Sequence, residues 1–116
     1  MRACILGLAG PTLTEDERTF IRAADPVGFI LFGRNIAAPD QLRRLTGDLR
    51  AATGRDGLLI MTDQEGGRVT RLGPPHWPHF PAAARFGVLY DLAPISALEA
   101  ARLNGQAIGL ILRELG

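Results

Sequence analysis

The chain has 116 residues, of which 47% are hydrophobic and 22% charged, and its formal net charge is +1. This composition is typical of a globular protein and excludes disordered and collagen-like chains. The charges are scattered, so neither nucleic acid nor a membrane is an expected partner, and the 13 basic residues are all arginine, which excludes Schiff-base and P-loop lysine chemistry.

The N-terminal segment bears on the cellular compartment. Cys4 has no second cysteine with which to form a disulfide, and its apolar surroundings predict a buried small residue in a reducing compartment. One arginine and a short apolar core favour a first buried strand over a signal peptide. No apolar stretch reaches the roughly 18 residues of a membrane-spanning helix. A cytoplasmic location is therefore expected.

Three short apolar runs predict three strands of a parallel sheet, at residues 3–8, 27–32 and 57–62. Their continuous apolar character is typical of strands that are covered on both faces. The first helix follows Thr14, which has the capping-box spacing to Glu17, and it ends at Asp25-Pro26. Its predicted inner stripe consists of Phe20, Ile21 and Ala24.

The second predicted helix has Pro39 in its first turn and closes at Gly54. Its inner face is the leucine set Leu42, Leu45 and Leu49, and its outer face is the charged set Arg43, Arg44, Asp48 and Arg50. After the third strand, four prolines in residues 73–81 exclude helix and central strand, which predicts a long loop.

A third helix is predicted from a capping box at Ser96 and Glu99 to Gly116. Its apolar face is the set Leu98, Ala101, Leu103, Ala107, Ile108, Ile111, Leu112 and Leu115. The βα alternation predicts an α/β fold with a parallel sheet and right-handed crossovers. Since a closed (β/α)₈ barrel takes about 250 residues, three βα units fit either part of a barrel or a small doubly wound domain.

The residues that follow the third strand are the main candidates for chemistry. Asp63 and Glu65 come just past its carboxyl end, where parallel α/β proteins bind ligands, and two carboxylates there suit either a metal or acid/base work. Gly66-Gly67 permits a sharp turn or close approach to a ligand. Arg68 and Arg71 can bind hydroxyls or a carboxylate, or serve as structural partners of the acidic residues.

Two further sets of polar side chains carry less weight. Arg34-Asn35, after the second strand, reaches the same edge and is interpreted as either a supporting hydrogen-bond pair or a turn. His76 and His79 lack an obvious third ligand, so no metal is expected there. Trp77 and Phe80 can stack on a ligand, but packing of the proline-rich loop onto the barrel is the commoner use of such aromatic residues. No cofactor is implied by any of these residues.

Several of these segments resemble family 3 glycoside hydrolases in their N-terminal part. The resemblance is carried by residues 28–35 (GFILFGRN), by Gln41-Leu42 and Leu45-Thr46, and by residues 63–72 (DQEGGRVTRL). Within the family it points to the bacterial β-N-acetylglucosaminidases, or β-hexosaminidases, of cell-wall (peptidoglycan) recycling. It implies that the chain is the N-terminal portion of a (β/α)₈ TIM barrel, with residues 1–116 forming an incomplete catalytic domain.

The resemblance also implies the reaction and the role of each site residue. The family removes a terminal N-acetylglucosamine with retention, through a covalent glycosyl-enzyme intermediate. The residues that match Asp63 and Arg71 contact the sugar, whereas Glu65, Gly66, Gly67 and Arg68, together with Arg34 and Asn35, shape the loops behind them. The expected partner is a saccharide that contains N-acetylglucosamine.

The departure from the family concerns the reacting groups. The family's nucleophilic aspartate and proton-donating histidine belong to later segments that this chain does not contain, so no catalytic residue is assigned and the chain alone is expected to be inactive. It would then self-associate or require the C-terminal half of the barrel. The alternatives are a non-catalytic carbohydrate-binding or self-associating α/β module and a metal- or phosphate-dependent doubly wound enzyme.

Overall fold

Three parallel strands and two helices make up the first of the two units into which the chain divides. The structure is a computed structural model that describes residues 1–116, and this unit contains Met1–Asp63 with Leu115–Gly116. Strand β1 spans Arg2–Leu6, β2 spans Pro26–Leu31 and β3 spans Leu59–Thr62. The sheet order is β1-β2-β3 with both pairs parallel, so the predicted parallel sheet is confirmed.

The prediction that the strands are covered on both faces is wrong for the two outer strands. The side chain of Phe29 is fully buried, but Ile5 in β1 and Leu59 in β3 are 44% and 45% exposed. Both are in register with Gly28, so they share the face opposite to that of Phe29. Because side chains alternate between the faces of a strand, burial of the Phe29 face leaves the other apolar face open.

Cys4, in β1, was predicted to be buried, but its side chain is only half-buried.

Helix α1 spans Glu15–Ala24 and begins at the predicted capping box. The Thr14 hydroxyl accepts the Glu17 N–H at 3.1 Å, and the Glu17 carboxylate accepts the Thr14 N–H at 3.0 Å. The other carboxylate oxygen of Glu17 accepts the N–H of Ala9, at 3.0 Å. This helix start is therefore tied to the segment that follows β1.

The end of α1 also follows the prediction, but its inner stripe does not. Asp25 caps the helix in the left-handed conformation, at φ 44°, before β2 begins. Ile21 is buried, whereas Phe20 is 60% exposed. Since neighbouring helical residues point about 100° apart, a helix that buries Ile21 as its main contact turns Phe20 towards solvent.

Glu17 makes the stability of this unit depend on pH. The backbone N–H groups of Thr14 and Ala9 hold the pKa of the Glu17 carboxyl below its ordinary value of 4.5. Because the pKa is lower in the folded state, the contribution is complete above the unfolded pKa and is lost as pH falls through the folded pKa. We expect the free energy of unfolding to decrease more steeply below pH 4.5 in the wild type than in Glu17→Gln.

Urea denaturation across the acidic range measures this difference, with Thr19→Ala in the same helix as the control. The control removes no acidic group, so it should keep the wild-type pH dependence. Equal pH dependence in the wild type and in Glu17→Gln would contradict the assignment.

Helix α2 spans Pro39–Thr53 and has both predicted ends, with Pro39 in the first turn and Gly54 as a left-handed cap at φ 67°. The predicted inner leucines are all buried, at 3%, 1% and 0% exposure for Leu42, Leu45 and Leu49. On the predicted outer face Arg43 and Arg44 are exposed, whereas Asp48 and Arg50 are half-buried. Arg50 is held because its guanidinium donates to the carbonyls of Asp56 and Gly116, at 3.0 and 2.7 Å.

The second unit, Gln64–Glu114, contains a two-stranded hairpin and two helices. The antiparallel strands β4 and β5 span Gln64–Gly66 and Val69–Thr70. Helix α3 spans Ala83–Leu92 and α4 spans Pro94–Glu114. The long loop predicted at residues 73–81 is confirmed, since these residues lie outside every helix and strand. The hairpin and α3 were not predicted.

The predicted start of the last helix is wrong. Ser96 is the third residue of α4 and not its cap, because the helix already begins at Pro94, and proline favours the first helical position. The predicted apolar face is covered only in part, because Leu115 is buried whereas Leu98, Leu103 and Leu112 are 63%, 49% and 37% exposed. None of the helices has the length and apolar character needed to cross a membrane.

Candidate functional site

Asp63 lies at the carboxyl edge of the parallel sheet. The register pairs Leu31 at the end of β2 with Thr62 at the end of β3, so Phe32 and Asp63 are the first residues after two neighbouring strands. The Thr62 hydroxyl donates to the Leu31 carbonyl at 2.9 Å and strengthens this pairing at its last position. The Asp63 side chain is half-buried. The strand ends therefore bring Asp63 to the edge that the sequence predicted.

Asn35 connects two loops at this edge. It closes a 3₁₀ turn, Gly33–Asn35, and its side chain is completely buried. Its Oδ1 accepts the N–H of Phe32 at 2.9 Å, and its Nδ2 donates to the carbonyls of Leu8 and Gly10 at 3.2 and 2.8 Å. The amide thereby fixes the segment that follows β1 against the end of β2.

Arg34, which precedes it, bonds the same segment at one of the same carbonyls. Its Nε donates to the Leu8 carbonyl at 2.7 Å, and its guanidinium carbon lies 4.8 Å from the centre of the Phe32 ring. A Cβ built on Gly7 would lie 3.3 Å from Nη2 of Arg34. Arg34 and Asn35 therefore form a hydrogen-bonding pair within a turn, which combines the two alternatives left open by the sequence.

Gln41 belongs to the same hydrogen-bond network and was missed as a site residue. Its Nε2 donates to the carbonyls of Pro11 and Asn35 at 2.6 and 2.9 Å, and its Oε1 accepts the N–H of Ala37 at 2.8 Å. A signal was present in the sequence, because Gln41 is the third residue of α2, where glutamine commonly reaches back to the helix start. What the sequence did not show is that the other end of this amide bonds the loop after β1.

In the second unit, Gly66 is the last residue of β4 and Gly67 begins the turn that leads to β5. Both have positive φ, at 85° and 60°. A Cβ on Gly66 would lie 2.2 Å from the Pro81 carbonyl oxygen, and one on Gly67 would lie 2.6 Å from Cβ of Ala82. The Gly67 N–H donates to the Phe80 carbonyl at 2.8 Å. The two glycines thus allow the end of the proline-rich loop to lie directly on the turn.

Gln64, the first residue of β4, forms three hydrogen bonds through its side chain. Its Oε1 accepts the N–H groups of Arg71 and Leu72 at 3.1 and 2.9 Å, and its Nε2 donates to the Leu72 carbonyl at 2.9 Å. Leu72 is 1% exposed. In the sequence Gln64 stands out only as part of the motif, because a single glutamine gives no sign of which backbone groups it will bond.

The other predicted residues of this segment differ in exposure. Arg71 is half-buried, whereas Glu65 and Arg68 are exposed. Asp63 ends the first unit and Glu65 belongs to the second. The rings of His76 and Trp77 meet edge to face at 5.7 Å, and His79 is exposed. No group of three or more His, Cys, Asp or Glu side chains is placed to hold a metal ion.

Comparison with known proteins gives consistent matches, although no family model matches the chain. A protein named Beta-hexosaminidase from Bordetella avium is 38% identical over 112 residues, which cover 97% of this chain and 32% of the relative. A Beta-hexosaminidase from Xanthomonas oryzae is 37% identical over 112 residues, with 97% and 33% covered. The chain thus spans about a third of the length of these curated relatives.

Solved structures agree with the sequence matches. The structure of NagZ from Neisseria gonorrhoeae matches with a TM-score of 0.88 and 32% identity, over 97% of this chain and 32% of that one. A glycoside hydrolase family 3 β-N-acetylglucosaminidase from Paenibacillus matches with a TM-score of 0.82 and 32% identity, over 96% and 20%. These matches confirm the predicted α/β fold as the N-terminal portion of a TIM barrel.

Proposed function

We propose, on the premise of these matches to proteins named Beta-hexosaminidase and NagZ, that the chain belongs to the family 3 glycoside hydrolases and takes part in the removal of terminal β-N-acetylglucosamine from cell-wall saccharides. The proposed reaction proceeds with retention of configuration. In this proposal residues 1–116 are the N-terminal part of the catalytic domain, and they supply its sugar-binding edge. The expected cytoplasmic location stays a prediction.

The observation that carries the proposal is the agreement of fold and sequence over the same residues. The match with NagZ has a TM-score of 0.88 and 32% identity, and it covers 97% of the chain. Asp63 follows β3 at the carboxyl edge of the sheet, where (β/α)₈ enzymes carry their active sites. The fold alone would support many activities, so the support comes from the combination.

Asp63 and Arg71 suit the recognition of a sugar. An ionised carboxylate accepts hydrogen bonds from two neighbouring hydroxyl groups, and charge-assisted bonds of this kind are stronger than neutral ones. A guanidinium presents several N–H donors in a fixed plane, which orients a sugar through its oxygen atoms. Contacts remote from the scissile bond can supply binding energy that is used at the reacting carbon.

We propose further that residues 1–116 alone do not hydrolyse glycosides. A retaining mechanism requires a nucleophilic carboxylate and a proton donor on either side of the bond. The family resemblance assigns neither role to a residue of this chain. His76 and His79 lie in the proline-rich loop, which the resemblance does not connect with the proton donor.

The open face of the first unit supports an alternative, a non-catalytic carbohydrate-binding or self-associating α/β module. Ile5 and Leu59 are large, apolar and about half-exposed, and β1 and β3 are the outer strands of the sheet. Exposed apolar side chains beside unpaired strand edges favour association, either with a second copy or with the C-terminal half of a barrel.

Saturation-transfer NMR with N-acetylglucosamine tests the sugar-binding edge in the 116-residue chain. We expect saturable binding that is at least tenfold weaker in Asp63→Ala and in Arg71→Ala. Asp56→Ala and Arg44→Ala are matched controls at exposed positions of the first unit and should bind like the wild type. The same samples should release no nitrophenol from a nitrophenyl N-acetylglucosaminide above the buffer rate.

Each outcome has a distinct meaning. Binding that is unchanged in both Asp63→Ala and Arg71→Ala would refute the proposed edge. Enzymic hydrolysis by the isolated chain would refute the proposed inactivity. The elution volume separates the remaining alternatives, since a monomer that binds sugar favours the binding module and an oligomer favours association through the open face.

A further inference from the structure

We propose that Gln64 is a positioning residue that sets the placement of Arg71 for sugar binding. This inference rests on the proposed function, because it gives Arg71 the role of a sugar contact. It goes beyond that function by assigning a task to a residue between Asp63 and Glu65 that carries no charge. The connection lies entirely within the second unit.

The backbone around Arg71 lies beyond the regular part of the hairpin. The last strand pair is Gln64 with Thr70, so no residue of β4 lies opposite Arg71 or Leu72. At these two positions the side chain of Gln64 takes the place of a neighbouring strand. Its Oε1 accepts both N–H groups, at 3.1 and 2.9 Å, and its Nε2 donates to the Leu72 carbonyl at 2.9 Å.

Burial makes this connection specific. Leu72 is 1% exposed, so its backbone groups lie where an unpaired N–H or C=O is costly. The amide of Gln64 satisfies both groups of Leu72 and also holds the N–H of Arg71. The backbone N–H groups on either side of the Arg71 Cα are therefore both held, which limits where the Arg71 guanidinium can be placed.

The chemistry of the amide explains why glutamine suits this position. A carboxamide offers an acceptor and a donor at the same distance from the backbone, which matches two N–H groups and one carbonyl. In Gln64→Glu the acceptor remains, but the donor is replaced by a second oxygen that faces the Leu72 carbonyl. In Gln64→Ala all three hydrogen bonds are lost.

The test combines amide hydrogen exchange at residues 71 and 72 with N-acetylglucosamine titration of the 116-residue chain. We expect Gln64→Ala to exchange both amides at least tenfold faster and to bind the sugar at least tenfold more weakly, close to Arg71→Ala. Gln64→Glu keeps the acceptor for the two N–H groups but sets an oxygen against the Leu72 carbonyl, so its protection and its affinity should both lie between those of Gln64→Ala and the wild type. Gln106→Ala, an exposed glutamine of α4, is the matched control and should match the wild type in both measurements.

The outcomes separate this inference from the proposed function. If Arg71→Ala loses binding while Gln64→Ala binds like the wild type, Gln64 does not position Arg71 and only this inference falls. Unchanged protection at residues 71 and 72 in Gln64→Ala has the same meaning. If the wild type does not bind, or if Arg71→Ala binds as well as the wild type, the sugar-contact role of Arg71 falls and this inference falls with it. Should Gln64→Ala not fold, Gln64→Glu decides: unchanged exchange at Leu72 together with tenfold weaker binding would overturn the inference.

Discussion

Gly66→Ala is expected to lower the free energy of unfolding of the second unit by about 3 kcal/mol or more. The added Cβ would lie 2.2 Å from the Pro81 carbonyl oxygen, and the residue would have to keep φ at 85°, which a side chain disfavours. The contact is with backbone, so no rotamer change can relieve it. Either the turn between β4 and β5 or the end of the proline-rich loop must move.

Trp77 provides the measurement, since it is the single tryptophan and lies in this unit. Urea denaturation followed by its fluorescence should show the transition of Gly66→Ala at a much lower midpoint. The matched control is Gly87→Ala in α3, where a Cβ meets no atom within 4 Å. This control should stabilise the helix by about 0.5–1 kcal/mol. Similar midpoints for the two variants would show that the turn does not depend on the close approach.

Asn35→Ala is expected to destabilise the first unit by about 3 kcal/mol. The substitution removes three hydrogen bonds at a fully buried position and leaves the Phe32 N–H and the carbonyls of Leu8 and Gly10 without this partner. Asn35→Asp keeps the acceptor for Phe32 but places a carboxylate against two carbonyl oxygens. It should therefore not rescue the loss.

Far-UV circular dichroism in urea gives the stability, and hydrogen exchange at the Phe32 amide reports the bond to Asn35 directly. Asn104→Ala is the control in α4 and should stay within about 0.5 kcal/mol of the wild type. If Asn35→Ala unfolds at the wild-type midpoint, or if Asn35→Asp is as stable as the wild type, the buried amide does not hold the loop after β1.

The elements that could be predicted are those with a local chemical signal. Thr14 and Glu17 form the cap of α1, Pro39 starts α2 and Gly54 closes it, because each of these residues acts within its own turn. Helix α3 has no such signal. Its cap residue Ala82 makes no side-chain hydrogen bond, and Gly87 lies in its interior.

The candidate site was predicted in position but not in its connections. Asp63 could be placed at the sheet edge because it follows an apolar strand, and the register agrees. The bonds of Asn35 and Gln41 join residues 25 or more positions apart, at the carbonyls of Leu8, Gly10 and Pro11, and periodicity does not encode such distant partners. For the same reason, an apolar stripe does not show whether another surface covers it, as the exposed leucines of α4 illustrate.

The hydrogen bonds of Asn35 and Gln41 also limit how the loop after β1 can vary in length. Asn35 donates to the carbonyl of Gly10, Gln41 donates to that of Pro11, and Glu17 accepts the N–H of Ala9. One inserted residue would shift these groups out of reach of three side chains at once. Loops at this edge of an α/β protein commonly diversify by insertion. Here new ligand contacts must instead come from substitutions on a loop of fixed length, or from the loops that follow other strands.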